Sequence, residues 1–415
     1  MARPTSAATQ SGPEVEPVYP AGERNEGHAR GAGATAPKIA GHVPALDGVR
    51  GLAVLMVLLL HFVGGMDPQN GFERAVVRVT GYGAYGVELF FVLSGFLITG
   101  ILYDARDKPN YFRNFYMRRF LRIFPLYYSV LGAVFFVAPL LPFLRGPALD
   151  YVRDRQAWAW LYGVNIYIAM RGEWCLTYLD HFWSLAVEEH FYFVWPLLVW
   201  TLRRKPRMLM ALSLSLSIGA MLSRLAGSAL GVNWWAMYVL TPFRLDCLAL
   251  GGFLAVAARQ PGGTERIVRN FPRVAGLAGA MLVASFAWTR LAGRGGLQAL
   301  LAIRASLVIV LLGALLLWAL TAAPRSAVSR FFCSRPMVFL GVYSYGLYVY
   351  HHFLSFYMVG HRTEFALARW LGSHGAAVAL QAIAGISISV GAAYLSYHVL
   401  EKRFLSLKRL FEAAR

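Results

Sequence analysis

The sequence is poor in charged side chains, which make up only 15% of its 415 residues, against about 25% in ordinary soluble domains. Hydrophobic residues reach 57%, and the mean hydropathy is +0.49. A water-exposed surface cannot be built from so few charges, so most of the chain must face lipid. The composition predicts a polytopic membrane protein.

Acidic residues are the scarcer of the two charge types, with 21 Asp and Glu against 40 Lys and Arg and a formal net charge of +19. In a soluble protein this excess would suggest nucleic-acid binding. In a membrane protein it is expected, because cytoplasmic loops collect Lys and Arg. We therefore predict a lipid bilayer and no nucleic acid as partner.

Several common chemical motifs are also missing. The three cysteines, Cys175, Cys247 and Cys333, fit neither a CxxC pair nor a disulfide framework. The motifs GxxxxGK[ST], GxSxG and HExxH do not occur, which argues against a P-loop ATPase, a serine hydrolase and a zinc protease. We expect no tightly bound cofactor and no metal.

Ten apolar stretches are long enough to cross a hydrocarbon core of about 30 Å. They lie near residues 46–64, 83–103, 123–143, 181–202, 207–227, 239–258, 274–290, 297–321, 338–360 and 377–399. A shorter stretch at 158–170 fits an interfacial or re-entrant segment better than a span. The sequence predicts an all-α, multi-pass protein of the cell (plasma or inner) membrane with about ten transmembrane helices.

The distribution of Lys and Arg predicts the orientation of these helices. With both termini cytoplasmic, the inner loops and tails carry 26 Lys and Arg and the outer loops carry 10, as expected for cytoplasmic loops. Counting 158–170 as a span would invert every later loop. We therefore predict three regions: a disordered cytoplasmic tail (1–44), a transmembrane domain (45–405) and a basic cytoplasmic tail (406–415). The first tail is rich in Gly, Pro, Ala and Glu and contains no signal-peptide core.

Ionisable side chains inside the predicted spans are candidates for function, because each costs about 2.5 to 3.5 kcal/mol on insertion scales. Arg50 and His61 share the first span, and eleven residues place them on one helical face, about 16 Å apart in depth. His61 is a candidate general base. A packed histidine bonded to a neighbouring helix is the alternative.

The fourth span, in HFWSLAVEEHFYFVWP, contains Glu188 and Glu189, of which at most one can face the core directly. Glu188 lies two turns inside from His181, at a predicted depth comparable to that of His61. A carboxylate bonded to one imidazole nitrogen would orient the ring for general-base catalysis. A structural hydrogen bond between helices fits the spacing equally well.

Arg119 and Arg122, in RNFYMRRFLRIFP, are three residues apart and therefore neighbours on a helix. Their planar forks could converge on one anion. Anchoring of the helix at the cytoplasmic surface is the simplest alternative.

Four further residues are supporting or uncertain candidates. Glu88 lies at the start of the second span. Arg244 and Asp246, in LTPFRLDCLALGG, could form ion pairs with each other or with residues on other helices, which would be a structural role. His351, in SYGLYVYHHF, is the rival candidate for the base.

Six motifs in one order resemble those of the acyltransferase 3 family of integral membrane O-acyltransferases, over residues 45 to about 405. They are Arg50-x10-His61 within LDGVRGLAVLMVLLLHF, GVELFFVLSGFLI, the Arg119-x-x-Arg122 pair in RRFLRIFP, HFWSLAVEEHFYFVWP, TPFRLDCLALGGFLA and GVYSYGLYVYHHF. The resemblance implies a ten-span domain that takes an acyl group, with acetyl favoured, from cytoplasmic acyl-CoA. The acceptor would be a hydroxyl, commonly of a sugar in a surface polysaccharide, a lipopolysaccharide or a glycosylated natural product.

The resemblance also implies residue roles. Arg50 and His61 match the family's essential arginine and histidine, Arg119 and Arg122 match the pair assigned to the acyl donor, and Glu188 matches the acid of its SLxxE segment. One departure is His190, where the family pattern has glutamine. Because only about 15 residues follow the last predicted span, the membrane domain alone is expected to complete the transfer.

Two functions from other classes compete with acyl transfer. A transporter or flippase could use His61, Glu188 and Arg244 as a relay, and a non-catalytic polysaccharide-export scaffold is a third hypothesis. We find no internal repeat of the kind that transporters often show.

Overall fold

The computed structural model of the chain describes residues 43–292 and 297–411, and all regular structure in these ranges is helical. The helices are α1 (Pro44–Leu59), α2 (Gly71–Gly81), α3 (Tyr85–Asp104), α4 (Tyr111–Gly132), α5 (Pro147–Asp154), α6 (Gln156–Trp160), α7 (Val164–Arg171), α8 (Phe182–Thr201), α9 (Pro206–Ala229), α10 (Trp234–Val239), α11 (Thr241–Ala258), α12 (Gly263–Ala292), α13 (Leu297–Thr321), α14 (Ala327–Phe332), α15 (Arg335–Val342), α16 (Ser344–Gly360), α17 (Thr363–Leu371), α18 (His374–Ser396) and α19 (Lys402–Ser406). Turns of π-helix continue α1 over Leu60–Gly64, α4 over Ala133–Val137 and α18 over Tyr397–Glu401. The predicted all-α fold is confirmed.

Within the described ranges, eight helical runs are long and apolar enough to cross a membrane. They are Pro44–Gly64, Gly71–Asp104, Tyr111–Leu140, Pro206–Ala229, Trp234–Ala258, Gly263–Arg290, Ala299–Thr321 and His374–Phe411. Helices α8 and α16 lie at the other two predicted spans; α8 carries three ionisable residues in succession, and α16 has only 17 residues. The chain is therefore a multi-pass membrane protein, and the orientation of its termini stays a prediction.

The boundaries of two predicted spans differ from the helices observed. The third span was expected from residue 123, but α4 begins at Tyr111, because its arginine-rich first half is polar yet rich in good helix formers. The ninth predicted span is divided at Tyr343 into α15 and α16. The 158–170 segment forms parts of α6 and α7, which are separated near Tyr162 (φ +53°), and neither is long enough to span.

The predicted tail over residues 1–44 lies outside the described residues except for Val43 and Pro44, the latter already within α1. The last four positions of the predicted tail over 406–415 also lie outside them. The disorder of the first tail and the cytoplasmic side of both tails therefore stay predictions.

Close helix packing positions the charged residues. A Cβ atom added at Gly51 of α1 would overlap the carbonyl oxygen of Met337 in α15, and one at Gly95 of α3 would overlap that of Leu248 in α11. Small residues let membrane helices approach backbone to backbone in this way. The contact between α3 and α11 brings the charged residues of these two helices together.

Candidate functional site

A cavity of about 90 Å³ is lined by charged residues from three helices. Arg50 comes from α1, Arg119 and Arg122 come from α4, and Glu188 and Glu189 come from α8. The structure thus brings together four of the residues predicted for the site, the three arginines and Glu188. Polar groups missed at the sequence level, Ser94 and Tyr192, also line the cavity and bond to each other through their hydroxyls.

The arginines of this cavity differ in their partners. Nη1 of Arg50 donates to Oδ1 of Asp47 at 3.2 Å, one turn earlier on α1. Arg119 and Arg122 make no hydrogen bond or ion pair to any described residue, and the guanidinium of Arg119 lies 5.8 Å from the ring centre of Tyr192. Unpaired guanidinium forks that face a cavity suit an anionic ligand.

The side chain of Lys408 approaches this arginine cavity from the C-terminal end of the chain. The segment Leu407–Phe411 packs against α4, and its half-buried Lys408 interacts electrostatically with Arg119 and Arg122. The basic tail had been expected to serve only as a cytoplasmic tail. Its contact with α4 instead places the amine of Lys408 beside the cavity.

His61 lies outside the arginine cavity, in the π-helical turn that ends the first span. Its ring packs against those of His351 and His352 in α16, at 5.0 Å between centroids in each case, and His181 lies 4.6 Å from His352. We call these four residues the histidine cluster. The expected pairing of His61 with Glu188 does not occur, because His181, which precedes α8 two turns before Glu188, is the residue that joins the cluster of His61.

Backbone carbonyl groups determine which nitrogens of the histidine cluster carry hydrogen. Nδ1 of His351 lies 2.8 Å from the carbonyl oxygen of Tyr348 and 3.1 Å from that of Leu347. Carbonyl oxygens only accept, so this Nδ1 carries the hydrogen and Nε2 keeps a lone pair. That Nε2 lies 3.3 Å from Nδ1 of His61, which also lies 3.0 Å from the carbonyl oxygen of Val57. Nδ1 of His61 is therefore the donor, and its Nε2 is left as a bare acceptor able to take a proton.

Two helical turns separate the arginine cavity from the histidine cluster. Ser344 lines the cavity, and His351 lies seven residues later in α16, about 10 Å along the helix. Between them the hydroxyl of Tyr348 bonds to that of Ser184 and donates to the carbonyl of His181 at 2.9 Å. The arginine cavity and the histidine cluster thus lie at successive depths along α8 and α16.

Three of the four supporting candidates, Glu88, Arg244 and Asp246, form ion pairs within the protein. Arg244 bonds to Glu88 at 3.0 Å, and Asp246 bonds to Arg224 rather than to Arg244. All four side chains are at most 6% exposed. These contacts favour the architectural interpretation. Arg224 was missed, although an arginine inside the fifth predicted span was a sufficient signal.

His190 stands where the family pattern has glutamine. Its Nδ1 lies 2.8 Å from the hydroxyl oxygen of Thr241, the first residue of α11. The side chain therefore joins α8 to α11.

The sequence matches the family model described as an acyltransferase domain over residues 43–398. Peptidoglycan O-acetyltransferase OatA of Listeria monocytogenes is 29% identical over 331 residues, which are 75% of this chain and 49% of that protein. O-acetyltransferase OatA of Staphylococcus aureus is 27% identical over 328 residues, which are 75% of this chain and 50% of that protein. The chain thus spans about half the length of these curated relatives, and no solved structure matches it. Because the family model covers most of its length, the chain belongs to the acyltransferase 3 family.

Proposed function

We propose that this protein is a membrane O-acyltransferase that moves an acyl group, acetyl in the first instance, from acyl-CoA to a hydroxyl of a sugar-containing acceptor. Membership of the family and the names of its O-acetyltransferase relatives support the reaction class. One structural observation carries the mechanism: a cavity with unpaired arginines lies two helical turns along α16 from the histidine cluster, in which His61 has a free lone pair.

The arginine cavity is the proposed donor site. Acyl-CoA carries several phosphate charges, and the forks of Arg119 and Arg122 match phosphate oxygens in geometry as well as charge. Arg50 lines the same cavity and lies about 16 Å of helix rise from His61. We therefore assign Arg50 to the phosphate side of the donor. Glu188 interacts electrostatically with Arg50 and Arg119 and would orient them.

His61 is the proposed general base. Its Nε2 takes the proton of the acceptor hydroxyl while the hydroxyl oxygen attacks the thioester carbonyl carbon. The carbon–sulfur bond then breaks, the acyl group stays on the acceptor oxygen, and the departing thiolate takes the proton from His61. His351 holds the base in the required tautomer and is a positioning residue.

Transfer by purified protein in lipid nanodiscs tests this proposal. Supplied with labelled acetyl-CoA and peptidoglycan or other glycan fragments, the wild-type protein should place label on the glycan. His61→Ala should lose about 10²- to 10⁴-fold of this rate, the usual contribution of a positioned base. His361→Ala, an exposed histidine at the end of α16, is the matched control and should retain the rate.

A wild-type protein that labels no glycan fraction and releases no CoA would contradict the proposal. Near wild-type turnover by His61→Ala would contradict the assignment of the base alone. The relay transporter has less support, because Arg244 is paired with Glu88 and because Glu188 does not contact His61.

A further inference from the structure

The histidine cluster contains more nitrogen lone pairs than one general base requires. His61, His351 and His352 each offer a ring nitrogen, and these three atoms lie within 4.8 Å of one another. Neither nitrogen of His352 makes a hydrogen bond of good geometry to the described residues, although the backbone of Thr177 lies near this ring, and Nδ1 of His181 has no partner among them. Buried acceptors without partners cost free energy, so the cluster is suited to a ligand that accepts electron pairs.

Imidazole ligands favour zinc, copper, nickel and iron, whereas Mg²⁺ and Ca²⁺ prefer oxygen. No carboxylate of the described residues belongs to this group. Tetrahedral zinc, with bonds of about 2.0 to 2.1 Å, needs ligand nitrogens roughly 3.4 Å apart. Nitrogens that lie up to 4.8 Å apart would have to move closer together, by rotation of the rings, when the ion binds. Three histidines with a bound water form a known zinc coordination set.

Two features prepare the cluster for an ion. The backbone carbonyls that hold Nδ1–H of His351 leave its Nε2 with a lone pair, which accepts from Nδ1 of His61 until an ion takes it. The rings of His61 and His352 are half-buried, so two of the three proposed ligands keep some exposed surface.

We propose that His61, His351 and His352 bind one divalent transition-metal ion, zinc in the first instance, and that the bound ion stops acyl transfer by occupying the lone pair of His61. The second half of this inference rests on the proposed function. Binding of the ion does not, so the two are tested separately. This site also departs from the expectation of no metal drawn from the missing HExxH motif.

The first experiment measures binding with cobalt(II), whose visible absorption reports tetrahedral nitrogen coordination. The protein is purified through a tag without histidine, stripped with a chelator and placed in nanodiscs. We expect one equivalent of tetrahedral cobalt in the wild-type protein, displaced by zinc. His352→Phe should weaken binding by more than about 100-fold, since even partners outside the first coordination sphere are worth about 10- to 100-fold.

The matched control is His361→Gln, which removes a histidine from the same helix outside the cluster and should bind cobalt as the wild-type protein does. A second variant, His352→Gln, repeats the test with a polar side chain, and thermal unfolding identifies a variant that fails to fold. Equal cobalt binding by the wild-type protein and by both folded His352 variants would overturn the site. Absence of tetrahedral cobalt in the wild-type protein would overturn it as well.

The second experiment compares acyl transfer with and without saturating zinc in each protein, followed by label on the acceptor rather than by free thiol. Zinc should reduce transfer about 100-fold or more in the wild-type protein and in His361→Gln, because the base is lost. A chelator should restore the rate, and folded His352→Phe should lose far less. Zinc-saturated wild-type protein with full activity would overturn the regulatory role. A protein that binds cobalt but transfers no acyl group without metal would contradict the proposed function and leave the metal site standing.

Discussion

Nε2 of His351 lies 3.3 Å from Nδ1 of His61, although the two histidines are 290 residues apart in the chain. Because the hydrogen of His351 is held on Nδ1 by backbone carbonyls, its Nε2 can only accept. The contact therefore keeps the hydrogen of His61 on Nδ1 and its lone pair on Nε2. His351, the rival candidate for the base, is better placed to orient the base than to replace it.

The first prediction concerns this orientation. His351→Phe removes the acceptor for Nδ1–H of His61 and should lower kcat about 10- to 100-fold, less than loss of the base itself. The KM for acyl-CoA should stay unchanged, because the arginine cavity lies two turns away. Steady-state kinetics with labelled acetyl-CoA measure both constants.

The conservative variant His351→Gln is the control for packing, since its amide oxygen can accept the same hydrogen bond. It should recover part of the lost kcat. A loss of equal size in both folded variants would mean that His351 does more than hold the tautomer.

The second prediction concerns the donor site. Arg119→Lys and Arg122→Lys keep the charge but lose the fork, so each should raise the KM for acyl-CoA by roughly 10-fold, the equivalent of one charged hydrogen bond. Arg113→Lys, on the exposed face of the same helix, is the matched control and should leave this KM unchanged. Donor affinity unaffected by all three changes, in correctly inserted protein, would leave the pair as anchors of α4.

The positions of the helices could be predicted because lipid imposes a simple requirement of about 20 apolar residues per span. The eighth span was expected at residues 297–321, which are also the bounds of α13. Hydropathy alone does not detect the polar first half of α4, which begins at Tyr111 rather than at residue 123. The π-helical turn at His61 also has no signal in the apolar pattern.

The identity of the charged residues could be predicted, but their partners could not. Burial of Glu88, Arg244 and Asp246 follows from their location in apolar spans. The pairing of these residues depends on how each helix is rotated and on which helices are adjacent. Close backbone packing at glycines determines both the rotation and the adjacency. The contact at Gly95 brings α3 against α11 and so joins Glu88 to Arg244.

The third prediction tests the architectural interpretation of this ion pair. Arg244→Met leaves the buried charge of Glu88 uncompensated and should cost about 3 to 5 kcal/mol of stability. The double variant Glu88→Leu with Arg244→Met should recover most of this loss. Thermal unfolding in detergent, followed by helical circular dichroism, makes the comparison.

The exposed pair between Arg171 and Glu173 is the matched control, at 3.3 Å and with both side chains more than half exposed. Arg171→Met should change stability by no more than about 1 kcal/mol. A double variant at Glu88 and Arg244 that is stable but inactive would instead assign the buried pair to catalysis.

The fourth prediction concerns the orientation of the chain. Between residues 65–70 and residues 203–205 the chain passes through the Gly71–Asp104 run, the Tyr111–Leu140 run and α8. Three crossings place the two loops on opposite sides, and the basic run at 203–205 predicts that the second is cytoplasmic. We expect Asn70→Cys to react with a membrane-impermeant maleimide in intact cells, and Lys205→Cys to react only after permeabilisation.

The free Cys175 and Cys333 are first replaced by serine so that they do not contribute to the signal. Labelling of both positions from one side would mean an even number of crossings between them. Either the segment that contains α6 and α7 would then also cross the membrane, or α8 would not.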